Sequence, residues 1–315
     1  MLRLRLVGIA YGADGINLYR FASLTGEPLP GFTPGAHLDL TIAPGLTRAY
    51  SLLWPMPAPD SYEIAVRLSP EDKGGSRALH RGGLVGAIFE TSLPRNHFAL
   101  SPAPTPGYAL FAGGIGITPI ISHFRALRRE GRPVRLHYWT GTPAQTLFLA
   151  ELQAAPADAV RLYHTREGAA VPRLADVLAG LPAGFQLYCC GPAAMIDAFE
   201  RATADRPADL VHRERFAAPA LVEADAADSF RVRLQRSGKL LSIGADESIL
   251  GACLAAGIDA SYSCEEGVCG ACAVRVLAGE VIHRDSVLSP AERAAADTMM
   301  ICCSRGRGDA LVIDL

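Results

Sequence analysis

Three cysteines crowd into one short stretch near the end of the chain, and a fourth follows at a distance. Residues 263–272 read SCEEGVCGAC, so Cys264, Cys269 and Cys272 follow a C-x4-C-x2-C pattern, and Cys302 lies 30 positions beyond Cys272. Thiolates are ligands for soft metals, and ligands at this spacing need a tight loop approached by a second segment. The fold must therefore bring four sulfurs together, which constrains it more than any other feature.

The spacing of these cysteines resembles that of plant-type ferredoxins, which hold a 2Fe-2S cluster by C-x4-C-x2-C and a distant cysteine. Four thiolates and two sulfides around two irons carry net negative charge, so backbone N–H groups must point at the sulfurs. Gly267 and Gly270 lie between the ligands and permit a close approach of the backbone. The predicted metal ligands are Cys264, Cys269, Cys272 and Cys302.

Two other interpretations of the cysteines are less favoured. A structural zinc site normally uses paired C-x-x-C units, and only Cys269 and Cys272 are spaced in that way. A disulfide framework is weaker still, because all eight cysteines lie in the second half of the chain, as suits a metal centre in a reducing compartment. Cys302 keeps the 29-residue gap of plant-type ferredoxins, so we predict that it is the fourth ligand and that Cys303 is a buried neighbour.

The bulk properties indicate a globular enzyme without a nucleic-acid or membrane partner. A length of 315 residues predicts about two or three domains. Thirty basic and 32 acidic residues leave no electrostatic footprint for nucleic acid or an anionic membrane. The longest apolar run, 108–121, contains three glycines and a proline and is too short to span a bilayer. Residues 1–7 alternate apolar and basic side chains, unlike a signal peptide, so a cytoplasmic protein is expected.

The first third of the chain has the pattern of a β-barrel. Short segments of alternating polarity are separated by Gly and Pro, and they span residues 2–7, 16–22, 37–42, 48–54, 62–68 and 87–93. Several short strands with turn residues between them, and almost no helical periodicity, predict an antiparallel barrel over residues 1–102.

Two fragments of this predicted barrel, at residues 48–51 and 73–76, have the chemistry of a flavin site. An arginine neutralises a phosphate, an aromatic ring covers the isoalloxazine, and a hydroxyl bonds the ring edge. Gly75 and Ser76 begin a predicted short helix whose free N–H groups would meet the phosphate. Each fragment alone is weak, because an Arg and a Tyr in a barrel strand are more often a surface charge and a packing ring. The candidate flavin contacts are Arg48, Tyr50, Ser51, Lys73, Gly75 and Ser76.

Residues 103–217 change to strands that alternate with helical runs. The strands are predicted at 108–112, 134–139, 161–164, 186–190 and 210–216. This alternation predicts a parallel sheet wrapped by helices. The first strand leads into GGIGITP at 113–119, with Thr118 as helix cap and Pro119 at the first helical position. Because Pro119 replaces the third glycine of the dinucleotide fingerprint, the motif alone leaves open an ordinary strand-to-helix turn.

A second turn of the same region reads Cys190-Gly191-Pro192. It ends a predicted strand and begins a helix at Ala193, which places Cys190 at the carboxyl edge of the sheet, where open α/β sheets bind ligands. Without further context Cys190 would be a small buried hydrophobe, as Cys189 is expected to be.

The last region begins after a small, acidic and unpatterned tract, and we assign residues 218–228 as a linker. A hairpin is predicted from 230–234 and 239–243, and a helix at 248–256 with Cys253 facing inward. A strand at 273–277 follows the cysteine loop. A helix that begins with a capping box at Ser289 and a closing strand at 311–315 complete the predicted elements.

The order of these motifs is more specific than any one of them. R-x-Y-S at 48–51, G-G-S at 74–76, the glycine turn, C-G-P and a C-terminal ferredoxin pattern follow one another. Over essentially its whole length the chain resembles the phthalate dioxygenase reductase family, which includes the reductase component of vanillate O-demethylase. The resemblance implies an FMN-binding barrel over 1–102, an NAD-binding α/β domain over 103–217 and a 2Fe-2S ferredoxin domain of β-grasp type over 229–315.

The resemblance also implies roles for single residues. Those that match the flavin contacts of the family are Arg48, Tyr50, Ser51, Gly75 and Ser76. Those that match its nucleotide contacts are Gly113, Gly114, Gly116, Thr118, Cys190, Gly191 and Pro192. Ser51 and Cys190 are expected to shape the hydride-transfer site without transferring a proton. Phe216 is expected to pack over the flavin or the nicotinamide.

The choice of cofactors is partly visible. Related reductases with an N-terminal ferredoxin generally use FAD, so the C-terminal position of the cluster favours FMN here. A phosphorylated ribose needs a cation at the end of the second strand, where Gly141 and Thr142 follow Trp139, so NADH is favoured. Arg166 on the next strand leaves NADPH open as the less favoured donor.

The resemblance therefore implies a reductase that passes electrons from NADH through FMN and a 2Fe-2S cluster to a Rieske-type oxygenase. A flavin converts a hydride into single electrons, which is what a cluster accepts. One alternative is a self-contained NAD(P)H-dependent reductase of flavin, quinone or oxygen. Another is a non-enzymatic redox carrier or sensor. Each alternative leaves one of the motif sets unused.

Overall fold

The computed structural model describes residues 1–69, 74–168, 170–216 and 229–315. The chain forms two compact units, Met1–Glu214 and Arg215–Leu315. The first unit contains an antiparallel and a parallel sheet, and the second contains a mixed sheet. The predicted linker at 218–228 and Lys73 lie outside the described residues. None of the described helices is long and apolar enough to cross a membrane.

The antiparallel sheet has six strands in the order β4-β3-β6-β1-β2-β5. They are β1 (Leu2–Ala13), β2 (Ile16–Ser23), β3 (His37–Ala43), β4 (Leu46–Ser51), β5 (Ser61–Arg67) and β6 (Ile88–Thr91). Leu53, just after β4, donates its N–H to the carbonyl of Glu63 on β5 at 3.1 Å. This bond joins the two outer strands of the sheet, so the sheet curls towards a barrel.

Alternation of side chains explains why these segments form strands. On β1, Leu4 and Leu6 are buried while Arg3 and Arg5 are exposed. Successive strand residues point to opposite faces, so one face is apolar and packs inward. Full burial of a leucine or phenylalanine contributes about 1.5–3 kcal/mol. The barrel core consists of Leu4, Leu6, Tyr19, Phe21, Leu38, Leu40, Tyr62 and their neighbours.

The strand predicted at 48–54 ends earlier, at Ser51. Leu52 donates instead to the carbonyl of Ala36 at 2.8 Å, and Leu53 turns to Glu63. β4 therefore ends at Ser51, because the N–H groups of Leu52 and Leu53 bond to two different segments. A short helix, α1 (Gly75–Gly82), follows the barrel strand β5.

The parallel sheet has five strands in the order β11-β10-β7-β8-β9. They are β7 (Tyr108–Gly113), β8 (Val134–Thr140), β9 (Val160–His164), β10 (Gln186–Cys190) and β11 (Val211–Glu214). Its helices are α2 (Ile117–Arg129), α3 (Leu149–Gln153), α4 (Leu174–Ala179) and α5 (Ala193–Ala202). Every residue of β7 is buried, as expected for a parallel strand covered on both faces.

The prediction that Thr118 caps α2 is wrong. Residues Gly114–Gly116 form a 3-10 turn that runs directly into the helix, so α2 begins at Ile117 with Gly116 at the N-cap. Thr118 is already inside the first turn, where its hydroxyl donates to the carbonyl of Ile115 at 3.1 Å. The 3-10 turn makes the helix begin earlier than its residue types suggest.

The mixed sheet has five strands in the order β13-β12-β16-β14-β15. They are β12 (Phe230–Leu234), β13 (Leu240–Ile243), β14 (Ala273–Ile282), β15 (Thr298–Met300) and β16 (Arg305–Ile313). Its helices are α6 (Ile249–Ala255) and α7 (Pro290–Ala295). Cys253 is fully buried, and the predicted capping box of Ser289 and Glu292 is formed. β14 and β16 are longer than predicted, and β15 was not predicted.

Candidate functional site

Arg48 on β4 lies against the start of α1. A β-carbon on Gly75 would be 2.9 Å from Cγ of Arg48, so only a glycine leaves room for this side chain. Arg48 also donates from Nη1 to the carbonyl of Thr47 at 2.8 Å. The guanidinium is therefore held beside the first turn of α1, and this brings together two fragments that are distant in sequence.

The first turn of α1 is open to an anion. Gly74 has a left-handed backbone with φ of 106° and has no side chain to cap the helix. The N–H groups of a first helical turn lack intrahelical acceptors and attract negative charge. Ser76 is buried, and its hydroxyl accepts a bond from the N–H of Ser69 at 3.1 Å. A cation and a helix start at one place fit a phosphate group.

Tyr50 and Ser51 point to different sides of β4. Tyr50 pairs with Leu38 and is half-buried against the barrel core, while Ser51 pairs with His37 and is buried. Side chains alternate across a strand, so Arg48 and Tyr50 share a face that Ser51 does not. The strand can thus present a cation and a ring on one side and a hydroxyl on the other.

The glycine turn and the C-G-P turn are in direct contact. A β-carbon on Gly113 would be 2.6 Å from Sδ of Met195 and 2.7 Å from Cδ of Pro192. A β-carbon on Gly116 would be 2.3 Å from the carbonyl oxygen of Cys190. The strands before these turns, β7 and β10, are neighbours in the sheet, so their carboxyl ends form one rim. Both turns therefore belong to one site.

A cavity of about 430 Å³ lies at this rim. Its sheet side includes Gly113, Gly114, Thr165 and Pro192, and its barrel side includes Asp14, Ile16 and Arg67. The carboxyl edge of a parallel sheet is where ligands bind in open α/β folds. A nucleotide in this cavity would contact the barrel as well as the sheet.

Arg67 in this cavity was missed by sequence reasoning. A β-carbon on Gly114 would be 3.6 Å from Nη1 of Arg67, so the last residue of β5 reaches the glycine turn. A guanidinium at this position suits a diphosphate. A strand-ending arginine carries no sequence signal that distinguishes it from a surface charge.

Arg166 approaches the end of β8 from the neighbouring strand. Its N–H donates to the carbonyl of Gly141 at 2.9 Å, and a β-carbon on Gly141 would be 3.4 Å from Cδ of Arg166. Both residues line the cavity. The segment that follows β9 thus brings a cation, Arg166, to the end of β8, where the sequence itself has none.

Cys190 is paired in the sheet with Glu214, a second residue that sequence reasoning missed. Burial, together with the Glu214 carboxyl and Cys189, raises the pKa of the fully buried Cys190 thiol well above its ordinary value. Burial also raises the pKa of Glu214 to about 8. Oε2 of Glu214 is out of contact with solvent and bonds to none of the described residues. Cys190 therefore remains a thiol, and Glu214 is held as a neutral acid near pH 7.

Phe216 is 41% exposed and is the last described residue before 217–228. Its predicted packing over the flavin or nicotinamide stays a prediction.

The cysteine loop brings the predicted metal ligands together as two pairs. The Cys269 thiol hydrogen-bonds to Cys264, and the Cys272 thiol hydrogen-bonds to Cys302. The bond from Cys269, together with backbone N–H groups that include Glu266 at 3.3 Å, lowers the pKa of Cys264 to about 6. Backbone N–H groups thus point at a sulfur in the way that an anionic centre requires.

Glycine is needed inside this loop. Gly267 has φ of 69°, and a β-carbon there would be 2.5 Å from Sγ of Cys303 and 3.1 Å from Cα of Asp285. Gly270 also has a left-handed backbone, with φ of 72°. Cys303 is half-buried, and not buried as predicted, because it lies at the edge of the loop against Gly267.

The four predicted ligand thiols are arranged as two pairs. A structural zinc requires four donors around one point, whereas a 2Fe-2S cluster takes one pair of thiolates at each iron. The paired thiols therefore fit the binuclear cluster.

Comparison with known proteins agrees with this geometry. Residues 232–306 match the family model of a 2Fe-2S iron-sulfur cluster binding domain, and 98–209 match the N-terminal domain of dimethylamine monooxygenase subunit DmmA-like proteins. The phenoxybenzoate dioxygenase subunit beta of Ectopseudomonas oleovorans is 44% identical over 313 residues, covering 99% of this chain and 97% of that protein. The solved phthalate dioxygenase reductase is 36% identical with a TM-score of 0.72, covering 100% of this chain and 98% of that one.

This chain belongs to the phthalate dioxygenase reductase-like family. The predicted resemblance and fold class are therefore confirmed, with a flavin-binding barrel, a nucleotide-binding parallel sheet and a C-terminal 2Fe-2S ferredoxin domain. As a member of the phthalate dioxygenase reductase-like family the chain is an oxidoreductase. The domain limits and the single site residues stay predictions.

Relatives of this chain include a separate oxidoreductase and part of a longer monooxygenase. The vanillate O-demethylase oxidoreductase of a Pseudomonas strain is 39% identical, covering 96% of this chain and 96% of that protein. An intact type IV self-sufficient cytochrome P450 monooxygenase is 39% identical with a TM-score of 0.91, and this chain spans 41% of its length. The same reductase architecture therefore appears both as a separate chain and as part of a longer one.

Proposed function

We propose that this chain is the reductase component of a multicomponent oxygenase or demethylase. It takes a hydride from NADH onto FMN and delivers single electrons through a 2Fe-2S cluster to a Rieske-type oxygenase. The observation that carries the proposal is that one chain combines three sites. They are a helix start in the barrel that fits a phosphate group, a nucleotide cavity at the rim of the parallel sheet, and four paired thiols. The flavin supplies the conversion of an electron pair into single electrons.

The side chains of this protein bind and orient the cofactors. Arg48 and the open first turn of α1 neutralise the flavin phosphate. Gly113 and Gly116 let the glycine turn pack against the C-G-P turn at the rim of the cavity, and Arg67 neutralises the nucleotide diphosphate from the barrel side. Cys190 keeps a buried neutral thiol, and its carbonyl group lies against Gly116 at the rim of the sheet.

We propose FMN and NADH as the specific cofactors. The C-terminal position of the ferredoxin domain supports FMN, and the flavin released by heat is identified by its mass. The absence of a cation directly after β8 in the sequence supports NADH. Arg166 beside Gly141 would still accept a 2′-phosphate, so the specificity ratio is measured as kcat/KM for NADH against NADPH. A higher value for NADPH would contradict the proposed donor.

The proposed acceptor follows from the relatives. A protein 44% identical to this chain is named as a dioxygenase subunit, and one 38% identical as the beta subunit of a heme-dependent oxidative N-demethylase. We propose a Rieske-type partner because the chain resembles reductases of aromatic dioxygenases and demethylases. Eight unbridged cysteines suit a reducing compartment, so we propose a cytoplasmic location.

The experiment is an anaerobic NADH titration of purified protein, with flavin, iron and labile sulfide counted per chain. One FMN and two irons per chain are expected from the proposed cofactors. Cys264→Ser and Cys272→Ser are expected to abolish reduction of a one-electron protein acceptor while NADH still bleaches the flavin. Equal loss of both reactions would contradict the proposed order of electron transfer.

A quinone reductase is a second candidate function. The tetrachlorobenzoquinone reductase of Sphingobium chlorophenolicum is 40% identical over 308 residues, covering 96% of this chain and 94% of that protein. The two functions differ in their need for the cluster, if a quinone takes its electrons from the flavin. Full quinone reduction by Cys272→Ser, with no reduction of an oxygenase by the unaltered protein, would favour this candidate.

A further inference from the structure

Arg125 on α2 ties the barrel to the parallel sheet within the first unit. Its guanidinium carbon lies 3.4 Å from the ring centre of Trp54 and 4.5 Å from that of Phe148. Nη1 donates to the carbonyl of Leu53, in the segment just after β4, at 3.1 Å. Nε and Nη2 donate to the two carboxylate oxygens of Glu151 at 2.8 and 2.5 Å. One guanidinium thus contacts the segment after β4 of the barrel and the start of α3 beside the parallel sheet.

Both rings that enclose Arg125 are themselves held. Trp54 donates from Nε1 to the carboxylate of Glu63 on β5 at 2.6 Å. Phe148 has a left-handed backbone with φ of 62°, a conformation that is uncommon for a bulky residue. Such a backbone persists only where the surroundings determine it. The enclosure of Arg125 is therefore built from both sides.

Helix α2 connects this enclosure to the nucleotide site. The helix begins at Ile117, directly after the glycine turn, and Arg125 lies about two turns further along. Ser122 on the same helix accepts a bond from the N–H of Gly35 of the barrel at 3.4 Å, and Arg129 donates to the carbonyl of Pro55 at 3.5 Å. The position of the glycine turn relative to β4 is thus set through α2.

We propose that Arg125 is a positioning residue that fixes the nicotinamide against the flavin, which rests on the proposed function. Hydride transfer requires the reacting atoms to be held about 3–3.5 Å apart, and a displacement of about 1 Å can slow a reaction by about 100-fold. Only arginine combines a flat face for two rings with a fork for one carboxylate. Lysine keeps the charge but loses the stacking and the fork.

The test measures flavin bleaching by NADH in an anaerobic stopped-flow instrument for the full-length holoprotein. Arg125→Lys is expected to lower the limiting rate by about tenfold or more, and to raise the deuterium isotope effect with 4-deuterated NADH. The dissociation constants of flavin and of ADP are expected to stay within about twofold, because Arg125 contacts neither binding turn. Arg128→Lys, an exposed position on the same helix, is the matched control and keeps the rate.

A second variant distinguishes a loss of rate from a loss of folding. Phe148→Gly removes one ring, and glycine accepts the left-handed backbone without strain, so a folded protein with a smaller loss of rate is expected. Wild-type protein that NADH does not bleach would refute the proposed function itself. Bleaching of both variants at the wild-type rate would overturn only the role of Arg125. A loss of rate that follows a loss of flavin would also overturn it, because that pattern indicates a purely structural role.

Discussion

Gly116 lies directly against the carbonyl group of Cys190. A β-carbon at position 116 would be 2.3 Å from that oxygen and 2.7 Å from the N–H nitrogen of Gly191. β7 and β10 are parallel neighbours, with Cys190 opposite Ala112, so the turns after both strands meet. The two motifs that are expected to contact the nucleotide are therefore one structural unit.

This contact predicts the effect of Gly116→Ala. The added methyl group must push the two turns apart, so we expect an unfolding free energy lower by about 1–3 kcal/mol. We also expect flavin bleaching by NADH to slow by about tenfold or more, with flavin still bound to the barrel. Denaturant unfolding and stopped-flow absorbance measure these effects. Gly82→Ala is the control, because a β-carbon there meets nothing within 4 Å. Equal behaviour of the two variants would refute the prediction.

Arg48→Gln tests the phosphate contact at α1. A hydrogen bond to a charged group contributes about 1.5–3 kcal/mol, so we expect the flavin dissociation constant to rise by about 10- to 100-fold. Fluorescence quenching on titration of apoprotein with FMN gives this constant. Arg5→Gln, on an exposed position of β1, should leave it unchanged. Equal flavin affinity of Arg48→Gln and the unaltered protein would mean that the phosphate lies elsewhere.

Cys302 and Cys303 differ in burial and in their neighbours. Cys302 is buried and hydrogen-bonded to Cys272 and to Cys303, whereas Cys303 is half-buried and lies against Gly267. We expect Cys302→Ser to lose cluster iron and sulfide, and Cys303→Ser to retain both and the same electron paramagnetic resonance signal. Bleaching of flavin by NADH serves as the folding control in both variants. The opposite pattern of iron content would identify Cys303 as the ligand.

Glu214 predicts a dependence of stability on pH. Its pKa in the folded protein is about 8, above the ordinary 4.5, because burial disfavours the charged form. The folded state then holds a proton that the unfolded state releases. The stabilisation from this proton is complete below about pH 4.5 and is lost as pH rises through 8. Glu214→Gln is expected to match the unaltered protein at low pH and to be more stable above pH 8.

The measurement for Glu214 is thermal unfolding across that pH range. Exposed Glu130 supplies the control, and Glu130→Gln should keep the pH profile of the unaltered protein. A difference between Glu214→Gln and the unaltered protein that does not change with pH would contradict the assigned burial of the carboxyl group.

Much of the fold was predictable because the signals are local. Alternation of side chains on β1, burial along β7 and the capping box at Ser289 depend on residues near one another in the chain. The cysteine pattern is also mostly local, since Cys264, Cys269 and Cys272 share one loop. Local steric and hydrogen-bonding preferences act at short range, and a sequence displays them directly.

Some elements differ from the sequence-based prediction because a partner outside the segment changed its local preference. β4 ends at Ser51 because Leu52 and Leu53 bond to Ala36 and Glu63. Thr118 is not a cap because the glycine turn before it already has helical geometry. In both cases the residue types allowed more than one conformation, and the surrounding structure selected one of them.

The residue pattern alone was enough for the fold class, the family and the cysteines expected to hold the cluster. The folded chain was needed to find that Arg67 and Arg166 reach the nucleotide cavity and that Glu214 lies beside Cys190. It was also needed to find that Arg125 connects α3 to the segment after β4. Strand order and register bring these residues together, and neither is written in the pattern of any single segment. A charge or a carboxyl group therefore acquires its role from neighbours that are distant in the chain.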